Sequence, residues 1–469
     1  MNTVLNANNK LVEHLPLTSS QKWCMREMAN VDRPGWCTVE FFVKTQTPMD
    51  AGLMQEATGY LVNKFESLRV KFICRDGEWI QEVYSYADAN PFAAFDLSRF
   101  DAAGRREEIK RLCSKERDWL LPARGNLIKI LFFKFSESEG RIWFCMHHVI
   151  ADFMASVIVA SDFMSAYSSL KQGRELKWQV SREYRKWFYI VEGYCRDVLL
   201  PSELDYWVNF PWERSTIMPS DFPDKFSNDQ LVIEAMANKK MIRSFRIGTY
   251  RVEKEVTQQL FSKAGPALEN WLIAIFFLAV VNNRNMEWLD MNVCNSGRNI
   301  LPSDYGINVY ELLGFLAISR VVMLKRPGTG DALLDIRDTI EQINRIPNGG
   351  IGFYLITDYI KNEQLKRSYS GFRRPCYVFF NYLGRLDSNF GNGQYEIVEE
   401  DTGAETHEGE IYNNLLECFI GVRENRLFFR FTYTEEYFTK DTIDDMAREM
   451  IAMFTAVVEE ALTGKAAAL

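Results

Sequence analysis

The strongest constraint on how this chain can fold is an abrupt change of pattern around residue 147. Ile142-Trp143-Phe144-Cys145-Met146 is an unbroken apolar run of strand length. It stops at His147-His148, and Asp152 follows four residues after the second histidine. From residue 153 to 170 the apolar residues recur at helical spacing. The histidines therefore fall on a strand-to-helix loop, where a rigid sheet can present an imidazole. Histidine titrates near neutrality, so one placed here can take a proton from an attacking amine or hydroxyl. The same short pattern also fits a hydrogen-bonded histidine pair in a core, or half of a metal site. The metal reading is the weaker one. Structural zinc needs cysteines and histidines at close spacing, whereas the nine cysteines form no CxxC and His14 and His407 lie far off in sequence.

The neighbouring segments keep an α/β rhythm. Residues 53–64 predict a helix, 68–73 and 79–84 predict strands about a turn at Gly77, and 105–121 predict a charged amphipathic helix. Residues 127–135 and 141–146 predict a hairpin across Ser136-Glu137-Ser138-Glu139-Gly140. After a polar stretch at 211–229, a second alternating region begins at 250–256 and runs through helical sequence into 271–281. That eleven-residue apolar run is too short to span a bilayer and reads as a core helix. Residues 288–295 predict a strand that ends at Ser296-Gly297-Arg298. Two comparable α/β halves would leave a cleft between them, where small-molecule sites tend to lie.

With 469 residues the chain can build two domains with large cores. Its 14% aromatic content implies bulky interiors or wide apolar channels. A net charge of −8 argues against nucleic acid as the main partner. Scattered cysteines and no signal-like start fit a reducing cytoplasm, and no membrane partner is expected. There is no GxGxxG, GxxxxGK[ST] or GxSxG, so nucleotide binding and serine hydrolysis have no support. Residues 465–469, Lys-Ala-Ala-Ala-Leu, read as a tail of vector origin.

Taken in order, several motifs resemble the condensation-domain superfamily of nonribosomal peptide synthetases. Leu15-Pro16-Leu17-Thr18-Ser19-Ser20-Gln21-Lys22-Trp23 is similar to its N-terminal signature, and Lys64-Phe65-Glu66-Ser67-Leu68-Arg69-Val70-Lys71-Phe72 to its RHExLRTxF element. His147-His148-x-x-x-Asp152 matches its HHxxxD motif. Tyr184-Arg185-Lys186-Trp187 and Asp205-Tyr206-Trp207 stand where the family has its inter-lobe segments, and Ser296-Gly297-Arg298 and Leu313-Gly314-Phe315 resemble its GR and VGxF elements. The resemblance covers nearly the whole chain. It implies an α/β fold, a chloramphenicol acetyltransferase-like pseudo-dimer of two lobes with a cleft or tunnel between them. Residues 1–185 would form the lobe carrying HHxxxD, 186–464 the second lobe, and 465–469 the tail.

Three features resemble the epimerization branch: Gln21-Lys22-Trp23, the stretch from Pro347 to Tyr354, and Phe380-Asn381-Tyr382-Leu383-Gly384-Arg385. That branch carries a second acid/base glutamate in an EGHGRE element, and Cys294 stands at that place here. Inverting a Cα centre needs a proton removed on one face and delivered on the other; forming an amide does not. The family also usually has glycine after the motif aspartate, where this chain has Phe153, which bears on the shape of the acceptor pocket.

The resemblance implies attack by an amine on a carrier-bound thioester. His148 would accept the amine's proton or fix its orientation, and His147 would hold the loop. Asp152 would pair with Arg298 across the two halves, and amides at the helix start after Asp152 would support the oxyanion. Phe153, Cys294, Ser296, Gly297 and Tyr382 are the substrate-channel candidates. No bound cofactor and no metal are expected, the substrates being carried on the phosphopantetheine of carrier proteins. The partners would be a donor carrier protein and either an acceptor carrier protein or a free amine, with Lys and Arg between 105 and 124 meeting an acidic carrier. Three alternatives stay open: an ester-forming or acyl-CoA-dependent acyltransferase of the same fold, a catalytically silent docking or recruitment domain, and a degenerate epimerization domain.

Overall fold

In the computed structural model of the chain, the described residues are 10–28, 37–86, 91–177, 179–238, 245–302, 305–309, 311–360, 362–371, 375–386, 396–398, 400–403 and 414–462. They form two units. The first comprises Met1–Tyr194, Ser296–Ala317 and Ser388–Gly409, and the second Cys195–Asn295, Ile318–Asp387 and Glu410–Leu469.

In chain order the first unit opens with β1 (Leu11–Pro16), α1 (Ser19–Met28), β2 (Thr38–Thr45), α2 (Ala51–Lys64), β3 (Val70–Arg75) and β4 (Glu78–Tyr84). It continues with β5 (Phe92–Asp96), α3 (Ala102–Arg117), β6 (Ile128–Lys134), β7 (Gly140–His147), α4 (Phe153–Lys171) and α5 (Glu183–Tyr194). The second unit contains α6 (Leu200–Val208), α7 (Asp229–Ala237), β8 (Phe245–Arg251), α8 (Lys254–Ala264), α9 (Leu268–Asn283) and β9 (Trp288–Asn295). After it come β10 (Ile318–Lys325), α10 (Ala332–Arg345), α11 (Gly352–Tyr359), α12 (Glu363–Gly371) and β11 (Val378–Arg385). The short strand β12 (Glu396–Val398) returns to the first unit, and β13 (Leu416–Arg423), β14 (Arg426–Thr434) and α13 (Lys440–Leu462) complete the second.

The expected hairpin is β6–β7, antiparallel from Ile128↔Met146 to Lys134↔Gly140. It lies inside a five-stranded sheet of order β12-β2-β7-β6-β5, and β1, β4 and β3 make a separate three-stranded sheet. One face of the larger sheet packs on α3 through Phe42, Leu131, Phe133, Trp143 and Cys145, which meet Ile109, Leu112 and Cys113. The other face carries α4, where Phe163 meets Phe144 edge-on with ring centroids 5.2 Å apart. With both faces covered, β7 is apolar at every position from Ile142 to Met146 rather than at alternate ones. The returning segment is tied down by a buried fork: Arg117 donates from Nε and from one terminal nitrogen to Glu40 (3.0 and 2.7 Å), and from the other to the Thr402 carbonyl (2.9 Å).

In the second unit a six-stranded sheet has the order β10-β9-β11-β13-β14-β8. Helix α9 is buried along every residue from Trp271 to Val281, between α10, α13 and the sheet, which accounts for a run that is apolar all round. Both α4 and the α8–α9 stretch are long and apolar enough to cross a membrane by composition, but they are 50% and 72% buried within the protein.

Three sequence expectations need adjustment. Leu68 and Arg69 belong to a buried 3-10 turn, Glu66–Arg69, so the strand starts at Val70. Residues 250–256 span the end of β8 and the start of α8. The helical run into α9 is interrupted at Gly265, whose φ of 48° and following Pro266 break the hydrogen-bond ladder.

Candidate active site

The last ladder partner of β7 on β2 is Thr38 opposite His147, and the backbone then enters a 3-10 turn, His148–Ile150. Both histidine amides continue the sheet pattern. His147 donates to the Leu127 carbonyl and His148 to the Cys37 carbonyl, each at 2.8 Å. His147 is fully buried, and its Nδ1 accepts the Val149 N–H at 3.1 Å. It caps the turn and holds the loop.

His148 is only half-buried, and it is the one the turn presents. Its ring packs edge-on against Phe315, with centroids 4.5 Å apart, and against Trp23 at 6.4 Å. Its Nδ1 bonds no other residue among the described ones. Aromatic packing therefore orients this imidazole, where a serine-protease-type triad would use an aspartate. The surrounding protein lowers the His148 pKa by desolvation, against smaller opposing contributions from its own backbone and from the Asp152 charge. Desolvation thus favours the neutral form of the ring.

Asp152 spends its carboxylate on structure. Oδ1 accepts the Ala155 N–H at 2.9 Å as the N-cap of α4, and Oδ2 accepts from Arg298 at 2.8 Å and from the Leu316 N–H at 3.1 Å. The second terminal nitrogen of Arg298 donates to the Leu312 carbonyl at 3.1 Å. The expected pair is present, but Arg298 lies within the same unit as Asp152 and does not reach over from another half, because Ser296–Ala317 belongs to the first unit. Gly297 makes this turn possible. Its φ is +69°, and a Cβ there would fall 1.7 Å from the Leu316 carbonyl oxygen. At the start of α4 the amides of Ala155 and Ser156 are already committed to Asp152, which leaves those of Phe153 and Met154 for an oxyanion.

A buried polar network beneath the turn has no signature in the hydrophobic periodicity. Nε2 of Gln21 lies 3.2 Å from the Val149 carbonyl and 3.1 Å from the Tyr184 hydroxyl. Gln81 donates to the Pro16 carbonyl at 2.6 Å and accepts from Tyr184. Burial raises the Tyr184 pKa, so the phenol stays a proton donor. Gln21 and Trp23 are legible only as part of the N-terminal signature, and Phe315 only as part of the VGxF-like element.

The other candidates are placed as follows. Phe153 begins α4 with 40% of its surface exposed, and Ser296 is exposed beside Gly297, its hydroxyl accepting the Arg298 N–H at 3.4 Å. Cys294 on β9 and Tyr382 on β11 are half-buried in the second unit. Burial raises the Tyr382 pKa. No group of three or more metal-ligating side chains occurs among the described residues; His407 and the tail 465–469 lie outside them. Of the basic residues between 105 and 124, Arg117 is fully buried against Glu40 and cannot meet a partner. Arg106, Lys115 and Arg124 are exposed.

The family model described as Condensation domain matches residues 12–467. Among curated proteins the chain is 23% identical over 448 residues to a component of the linear gramicidin synthase of Brevibacillus parabrevis, a match covering 95% of this chain and 8% of that protein. For bacitracin synthase 3 of Bacillus licheniformis the figures are 21% over 417 residues, 87% and 6%. The chain thus spans less than a tenth of the length of these relatives, at 8% and 6%. Among solved structures, the epimerization domain from the third module of tyrocidine synthetase B superposes with a TM-score of 0.78 at 20% identity, covering 98% of this chain and 100% of that one. The condensation domain from monacolin K polyketide synthase gives 0.69 at 11% identity, covering 96% and 98%. At such identities the likeness is one of fold, and it is the chloramphenicol acetyltransferase-like α/β fold.

Proposed function

Since this chain belongs to the condensation-domain family of nonribosomal peptide synthetases, we propose that it is an acyltransferase that forms an amide bond between a carrier-protein-bound acyl or aminoacyl thioester and an amine acceptor. The observation that carries this reading is His148: a partly buried imidazole presented on a turn that the Leu127 and Cys37 carbonyls fix from both sides. Such a group can take the proton from an amine as its nitrogen bonds to the thioester carbonyl carbon; the carbon–sulfur bond then breaks and the phosphopantetheine thiolate leaves and is protonated. Positioning the two reactants supplies much of the rate, since the neutral amine is already nucleophilic. Asp152 and Arg298 act as a brace, and His147 as the cap of the turn.

Amide formation is favoured over inversion of an α-carbon because the position that would hold a second acid/base carboxylate holds Cys294. The donor would arrive on one carrier protein and the amine on a second carrier or free. A test is to incubate a donor-loaded carrier with amine and hydroxyl acceptors in deuterated buffer and to follow the products by mass. The reading expects an amide product with no deuterium at the donor's Cα. An ester alone would move the activity to hydroxyl acceptors, and deuterium at Cα without transfer would make the protein an epimerase.

A further inference from the structure

Cys24 on α1 and Cys37 at the entrance to β2 are thiols 13 residues apart, and their sulfurs approach to 3.6 Å. A disulfide holds its sulfurs at about 2 Å, so a movement of roughly 1.5 Å closes the bond. Cys24 is buried and Cys37 half-buried, so one member of the pair can be reached from solvent and the other is placed behind it. Burial pushes the thiols of Cys113, Cys145 and Cys418 up, which disfavours their thiolates. The pair also touches both supports of His148. The Cys37 carbonyl accepts the His148 N–H at 2.8 Å, and Cys24 directly follows Trp23, whose indole packs edge-on against the His148 ring.

We propose that Cys24 and Cys37 are an oxidation site, which a peroxide converts to a disulfide that slows the enzyme by displacing these two supports. The effect on rate rests on the function proposed above; the disulfide itself does not. The Cys37 thiolate attacks the O–O bond of the peroxide, giving a sulfenic acid and hydroxide. The Cys24 sulfur then attacks the Cys37 sulfur, the S–S bond forms, the S–O bond breaks, and water leaves. Two thiols and one hydrogen peroxide give one disulfide and two waters: sulfur is oxidised and peroxide reduced. Drawing Cys37 towards α1 pulls its carbonyl off the His148 amide and moves Trp23 against the ring.

The test treats the whole chain with graded hydrogen peroxide and then with dithiothreitol. Three quantities are followed: linked peptides under non-reducing conditions, hydrogen exchange of the segment containing His148, and acyl transfer. We expect a peptide linked through residues 24 and 37 and faster exchange at the His148 amide. Transfer should fall by about tenfold or more, as a 1 Å misplacement near the chemistry can cost on the order of a hundredfold. Dithiothreitol should reverse all three, which separates the disulfide from methionine oxidation. Cys24→Ser should give no linked peptide and the same transfer rate before and after peroxide. Absence of the link at doses that already oxidise the exposed Cys74 would overturn the proposal. So would a link that changes neither exchange nor transfer. If the reduced protein transfers no acyl group at all, the proposed function fails, and linkage together with exchange still decides the oxidation site.

Discussion

Replacing Arg298 by methionine should destabilise the first unit, and the structure sets the scale. The Arg298–Asp152 pair is 7% and 8% exposed, with 2.8 Å between donor and acceptor. Removing one partner of such a pair costs about 3–5 kcal/mol, because the other charge stays buried. Asp152 would retain two backbone donors, Ala155 at 2.9 Å and Leu316 at 3.1 Å, so the lower end applies. At roughly 2–4 °C per kcal/mol for a unit of this size, about 3 kcal/mol lowers its melting temperature by about 6–12 °C. The double variant Asp152→Asn/Arg298→Met removes both charges; the asparagine oxygen still caps α4, while its amide nitrogen cannot accept the Leu316 N–H that Oδ2 accepts. It should be more stable than Arg298→Met yet stay about 1–3 kcal/mol below the wild type, for the stranded Leu316 N–H. Scanning calorimetry on the wild type, both single variants and the double variant measures the coupling directly. A double variant no more stable than Arg298→Met, or an Arg298→Met melting with the wild type, would refute the claim that this pair braces the loop.

Three further outcomes follow from the same geometry. Burial lowers the His148 pKa, so the neutral base should persist as pH falls, and the acid limb of the pH–rate profile should lie below about 6.5, the ordinary histidine value. The stability sign agrees: the unfolded chain takes this proton more readily, so the contribution is full above the unfolded value and is lost as pH falls; a limb above 6.5 contradicts the assignment. His147→Ala strands the buried Val149 N–H and should cost about 1–3 kcal/mol in urea unfolding, with a smaller loss of turnover than His148→Ala. Gly297→Ala should cost at least about 1–3 kcal/mol from its left-handed backbone alone. Its added carbon would also displace Leu316, whose amide serves Asp152, so reduced protection of the first turn of α4 in hydrogen exchange is expected.

The chemistry-bearing loop was legible because β7 is covered on both faces and α4 opens on a capping aspartate. These give an unbroken apolar run, a polar break and a helical period in direct succession. The strand ending at Asn295 was legible from a different pattern, Leu289, Met291 and Val293 alternating with Asp290 and Asn292. What pairs with the loop was less so. Arg298, Phe315 and Leu316 reach Asp152 and His148 from a segment about 150 residues later, and only the order of family-like motifs hinted at it. The three-residue strand β12, which pairs with β2 from Glu396↔Lys44 to Val398↔Phe42, is too short for any period to mark. Gln21, Gln81 and Tyr184 are polar groups facing inward, which a pattern of apolar positions cannot show. Phe153 had an identity in the sequence but no direction; its 40% exposure is set by its place at the first turn of α4.

The central claim is that His148 acts on an acyl group held by a carrier protein. The most direct measurement is intact-protein mass spectrometry of a donor-loaded carrier under single-turnover conditions, with an amine acceptor and either wild type or His148→Ala. The account predicts loss of the acyl mass from the donor carrier and its appearance on the amine with the wild type, slowed by about a hundredfold to ten-thousandfold in the variant. Equal transfer by the two proteins would contradict it, as would a wild type that binds the loaded carrier and never releases the acyl group.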